Sequence, residues 1–162
     1  MRAYVAGHRG MVGGAILRQL QIPFEAKVTS AHRTPAATHE YVLDADARGC
    51  AVFIAAAGMA AHLAGAVSAT TVKPVIGVPM NASMDGLDAL LSTVQMPAGI
   101  PVATVAIGAG RNAGLLAARI IGAADASVRA ALLDHQRLLA EVSAAKDRTL
   151  RERLEAGTDS EG

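Results

Sequence analysis

Short apolar runs alternate along this chain with stretches of helical period. Residues 3–6 read as a short strand, and Gly7-His8-Arg9-Gly10 turns it into a helix running through Leu20. Ile22-Pro23 stops that helix, and 25–29 reads as a second strand. Pro35 suits the first turn of a helix, where a missing N–H costs nothing, and Gly49 is placed to end that helix after about Arg48. Residues 50–55 form a wholly apolar strand, 56–59 a turn and 60–69 a helix. A fourth strand over 74–78 leads through a loop at 79–83 to a helix over 85–94, with apolar positions at Leu87, Leu90 and Leu91. A fifth strand over 102–107 passes through Gly108-Ala109-Gly110 into a helix over 112–121.

This β-α alternation, with strands apolar on both faces, predicts an α/β fold: a parallel sheet with helices on both sides. Ligands bind such sheets beyond the carboxyl ends of the strands, so the loops at 7–10, 30–35, 56–59 and 107–111 share one candidate rim. From Asp125 the pattern changes. Val128, Leu132, His135, Leu138, Leu139 and Val142 recur at helical spacing while Arg129, Asp134, Arg137 and Glu141 lie elsewhere on the wheel. Only the domain's own surface or another subunit can cover that amphipathic helix. We therefore expect one domain over 1–146, including an oligomerising helix over about 125–146. A charged, partly disordered tail is expected over 147–162, fraying from Gly157.

Composition narrows the function classes. The 162 residues are 52% hydrophobic but 2% aromatic, so the core must be filled by Ala, Val, Ile and Leu. That much apolar surface argues against disorder over most of the length. A net charge of +1 and few aromatic platforms give no case for nucleic acid. Neither apolar stretch suits a signal or a membrane span: 1–20 carries His8, Arg9 and Arg18, and 50–71 is broken by Gly58, His62 and Gly65. A soluble, cytoplasmic protein is expected, with Cys50 a buried, reduced thiol.

Two loops carry candidate chemistry. Ser30 and Arg33 beside a helix N-terminus offer a hydroxyl, a guanidinium and free N–H donors to an anionic group. His32 between them supplies an imidazole, the side chain most often used as a general acid or base. The alternative is a helix cap with an ordinary surface histidine. The loop Ala56-Ala57-Gly58-Met59-Ala60-Ala61-His62 is built of small residues, which let a flat ligand approach the backbone or simply allow tight strand–helix packing. His62, inside an apolar run, reads first as a satisfied structural histidine.

Several blocks carry a resemblance. Ser30–Pro35 (SAHRTP), 57–63 (AGMAAHL), 74–79 (PVIGVP), 86–107 and 112–120 (NAGLLAARI) resemble class I N5-carboxyaminoimidazole ribonucleotide mutase. That enzyme is also described as the catalytic subunit of phosphoribosylaminoimidazole carboxylase. The resemblance spans roughly 22–146. It implies a three-layer αβα, flavodoxin-like subunit with a five-stranded parallel sheet, assembled as a homo-octamer, with neither metal nor organic cofactor. The implied substrate is a ribonucleotide whose carboxylate moves, through CO2, from the exocyclic nitrogen to ring carbon C4. His32 matches the family's proton-handling histidine, and Ser30 and Arg33 match residues on the substrate phosphate. The backbone around Ala57 and Gly58 matches the loop that lies against base and carboxylate, and Ala31, His62 and Leu63 are further substrate-binding residues that the resemblance implies.

The first twenty residues depart from that family. Its Gly-Ser-x-Ser-Asp loop is replaced, counting from Gly7, by His8, Gly10 and Met11, with no carboxylate. Residues 3–20 resemble the opening of a nucleotide-sugar epimerase/reductase such as GDP-fucose synthase, with Gly7, Gly10 and Gly13 in a G-x-x-G-x-x-G pattern. A chimeric or misassigned start, a diverged active enzyme in which His8, Arg9 and the glycine backbone replace the lost phosphate contacts, or a weak or silent nucleotide-binding paralogue each accounts for it; Gly7, His8 and Met11 are the substrate-binding residues expected here. A nicotinamide-dependent reductase rests on residues 7–13 alone. Losing a carboxylate contact to the ribose costs about 1.5–3 kcal/mol. We expect a Michaelis constant roughly 10- to 100-fold above that of enzymes with the complete loop. Steady-state kinetics giving equal constants would contradict this.

Overall fold

The computed structural model of the chain describes residues 2–7 and 11–158; for 2, 4–7, 11–13 and 158 it describes the backbone alone. The expected turn over 8–10, including His8, lies outside the described residues, as do 159–162. Strands and helices alternate: β1 (Arg2–Gly7), α1 (Met11–Gln19), β2 (Phe24–Lys27), α2 (Pro35–Ala47), β3 (Cys50–Gly58), α3 (Leu63–Ser68) and β4 (Val75–Met80). A 3-10 turn (Met84–Gly86) precedes α4 (Leu87–Val94), β5 (Ala103–Thr104), α5 (Gly110–Gly122) and α6 (Ala126–Thr158).

The strands pair in parallel in the order β2-β1-β3-β4-β5. Successive residues of β3 serve opposite layers, as the two-residue period of a strand requires. Val52, Ile54 and Ala56 join one core with Ile16, Leu17, Ala113, Ala117 and Ile121 from α1 and α5. Phe53 and Ala55 join the other with Val42 and Ala45 from α2 and Leu63, Ala64 and Val67 from α3. This is a three-layer αβα arrangement around a parallel sheet. The alanines of α5 let that helix lie close on the sheet, which is how a core with few aromatics reaches native density.

Several boundaries differ from the sequence reading, each for a physical reason. The turn expected at 56–59 is largely strand, because Ala56, Ala57 and Gly58 continue the ladder opposite Val78, Pro79 and Met80. The helix expected from Ala60 begins at Leu63, since Met59 takes a positive φ of 59°. The strand expected over 102–107 narrows to Ala103–Thr104; beyond it the chain follows β4 through single bonds, Val105 N to Gly77 O and Gly108 N to Pro79 O. In α4 the buried positions are Ala89 and Thr93, whereas Leu87 and Leu91 are exposed. The helix expected over about 125–146 continues to Thr158. Its inner face buries Val128 and His135, while Leu138, Leu139 and Val142 remain about half exposed.

Other expectations match. Gly49, at φ 84°, ends α2 in the left-handed conformation that glycine adopts without steric cost. Cys50 is buried, and burial pushes its thiol up to about 12. Arg48, capping α2, reaches Glu25 on β2 at 2.8 Å and Asp44 at 2.8 Å, and its guanidinium holds the Glu25 carboxyl below the usual range. Among the described residues no helix is long and apolar enough to cross a membrane. Phe53 is the largest fully buried side chain on β3. Phe53→Ala is expected to lose about 3–5 kcal/mol in urea denaturation. A loss under about 1 kcal/mol would contradict the packing described.

Candidate functional site

The 30–35 loop joins β2 to α2 and is held by a chain of hydroxyls. Thr34 N donates to Ser30 O at 2.9 Å, and Ser30 N donates back to Thr34 Oγ1 at 3.1 Å. Arg33 N donates to Ser30 Oγ at 3.1 Å. Below them the buried Thr38, one turn into α2, donates to Thr34 O at 3.0 Å, with its Oγ1 lying 2.6 Å from Thr29 Oγ1. These bonds fold Ser30–Thr34 into a tight turn, with Pro35 in the first turn of the helix. Thr29 and Thr38 were missed by sequence reasoning, although Thr34 and Thr38 stand four apart across a helix start, where side chains meet.

The turn leaves His32 and Arg33 exposed and Ser30 and Ala31 half-buried. They line a cleft of about 600 Å³ whose opposite wall is Ala56–Ala60 with His62 and Leu63. The His32 and His62 rings lie with centroids 6.1 Å apart, tilted by 54°. His62 is thus not the satisfied core histidine first expected: it is exposed at the cleft. The core position beside it belongs to Leu63, which is 4% exposed. Gly58 brings its backbone against the 80–82 segment; a Cβ there would stand 2.6 Å from the Ala82 Cβ. Gly7 ends β1 opposite Ala56, next to the cleft wall. Met11 opens α1, its side chain outside the described residues. The 107–111 loop, expected on the same rim, does not line this cleft.

A second cleft, of about 630 Å³, lies where β4 and β5 begin, lined by 68–75, 99–101 and Ala103. Size does not choose between the two. Chemistry does, because only the first combines two imidazoles, a guanidinium, a hydroxyl and a helix N-terminus at the carboxyl ends of the strands. Its described lining contains no carboxylate. The site is therefore suited to holding an anion and moving a proton through imidazole. Among the described residues no cluster of three or more His, Cys, Asp or Glu could hold a metal ion.

Fold and cleft together define an αβα protein whose sheet rim carries a cleft lined by two histidines and an arginine. The profile of the AIR carboxylase family matches residues 12–142. An N5-carboxyaminoimidazole ribonucleotide mutase of Mycobacterium leprae is 56% identical over 135 residues, covering 83% of this chain and 79% of that protein. The mutase of Methanocaldococcus jannaschii is 47% identical over 137 residues, covering 85% of each. A crystal structure of a Treponema denticola PurE2 variant superposes with TM-score 0.84 at 25% identity, covering 93% of this chain and 99% of that one. The chain belongs to the AIR carboxylase family.

The hydroxyl chain is directly testable. Thr38→Val removes a buried hydroxyl bonded to Thr34 O and Thr29 Oγ1 and is expected to cost about 0.5–1.5 kcal/mol in denaturant unfolding. Because Thr29 and Thr38 share one of those bonds, the double variant Thr29→Val/Thr38→Val should cost less than the two single changes added together. Strictly additive losses would contradict the pairing.

Proposed function

We propose that this chain is an isomerase of purine (IMP) biosynthesis, converting N5-carboxyaminoimidazole ribonucleotide into 4-carboxy-5-aminoimidazole ribonucleotide. The observation that carries the reading is the meeting of Ser30, His32 and Arg33 with the 56–63 segment at one cleft, in a chain 56% identical to a mutase. The carbamate N–C bond breaks, its electrons return to nitrogen, and CO2 remains beside the ring. C4 then attacks CO2 and forms the new C–C bond. The C4 proton passes to His32 and finally to the exocyclic nitrogen, so the reaction balances as an isomerisation.

Within this reading Ser30, Arg33 and the α2 N-terminus hold the substrate phosphate. Ala31, Ala57, Gly58, His62 and Leu63 enclose base and carboxylate, and Gly7, His8 and Met11 complete the substrate-binding set. Free CO2 needs walls more than acids, which favours a cleft of small apolar residues with one proton carrier. The relatives are enzymes by name rather than binding subunits.

The strand order is that of flavodoxin-like sheets, with β5 as a short fifth strand. One mutase-like domain reaches about residue 146, followed by the charged helical end. Exposed Leu87, Leu91 and Val94 on α4, and Leu138, Leu139 and Val142 on α6, support self-association, which this reading takes to be a homo-octamer; as a purine-biosynthetic enzyme it would act in the cytoplasm. His32→Asn keeps the size of the side chain but cannot carry the proton. Turnover followed by carboxyaminoimidazole absorbance should fall about 100- to 10,000-fold. A rate within about tenfold of the parent would contradict the role given to His32.

A further inference from the structure

Met59 occupies a position where its backbone and its side chain both invite explanation. Its φ is 59°, in the left-handed region where a Cβ is strained and glycine is the natural occupant. Its side chain is 62% exposed, so little core packing offsets that strain. It follows Gly58, the end of the central strand, and lines the same cleft as His32 and His62. Backbone strain kept at a binding cleft, without compensating burial, points to a gain made only when the cleft is filled.

Resting on the mutase reading above, we propose that Met59 is a sealing residue, whose thioether side chain closes over the occupied cleft and retains CO2 between the two half-reactions. CO2 is neutral and small, so no charge in the cleft can hold it. Only the walls and their cover determine whether it meets C4 or escapes. An unbranched, flexible apolar side chain at the mouth can follow the changing shape of the contents while excluding water. Val28, 69% exposed on the opposite lip, supplies a second apolar edge for it to meet.

The test follows the fate of the carboxyl carbon. N5-carboxyaminoimidazole ribonucleotide carrying 13C in its carbamate is turned over in unlabelled bicarbonate buffer, and the label in the product's C4-carboxylate is measured, corrected for enzyme-free decay. Parent-protein turnover tests the mutase reading, whereas label retention tests the role of Met59, so the two can fail separately. Met59→Gly relieves the backbone strain and should melt at or above the parent temperature, which removes misfolding as a cause. It should raise the ratio of lost to retained label roughly tenfold, the change expected from losing one buried apolar side chain's contact. Met59→Leu should stay within about twofold of the parent, since it keeps comparable apolar bulk. Unchanged retention in Met59→Gly overturns the proposal, and so does equal loss in both variants.

Discussion

The structure depends on the pairing of β3 along both of its edges. It matches β1 from Cys50 to Ala56 and β4 from Phe53 to Gly58, so its peptide groups are satisfied inside the protein rather than by water. Its side chains seed both hydrophobic cores, with Val52 and Ile54 on one face and Phe53 and Ala55 on the other. Its last residues are small, so the ladder runs to the rim without filling the space beyond it. One strand thus sets both layers and supplies the floor of the cleft.

Against that floor stands the turn between β2 and α2. A seven-residue connection from Val28 to Thr34 has many conformations available, and fixing each residue opposes folding by about 1–2 kcal/mol. The bonds among Thr29, Ser30, Thr34 and Thr38 help offset that entropy, and they leave His32 and Arg33 free to face the cleft. Rigidity lies in the hydroxyls and chemistry in the imidazole and guanidinium. The division suits a reaction that needs a proton carrier held in place but not buried.

Much of this was legible in the sequence. Apolar runs of strand length marked the sheet, Pro35 and Gly49 bracketed α2, and the residues of SAHRTP carry the exposed half of the site. What was not legible depended on neighbours rather than period. Residues 56–58 look like a turn because they are small, yet they remain in the strand because β4 runs beside them. Residues 105–107 look like a strand because they are apolar, but regular pairing with β4 is already spent at Ala103 and Thr104. His62 looked structural from the apolar residues around it; the turn at Met59 and the start of α3 at Leu63 instead bring its ring towards His32. The Thr29–Thr38 contact joins two elements, and hydrophobic periodicity carries no signal for a hydroxyl pair.

The central claim is that one cleft, between the 28–34 turn and the 56–63 segment, binds the ribonucleotide with its reacting carbon at His32. A crystal structure with the 4-carboxy product bound tests it most directly. The ring carboxylate should lie within hydrogen-bond reach of His32, about 2.6–3.2 Å, with the phosphate on Ser30 and Arg33. Product lying instead in the cleft at the beginning of β4 and β5, or bound with its carboxylate turned away from His32, would contradict it.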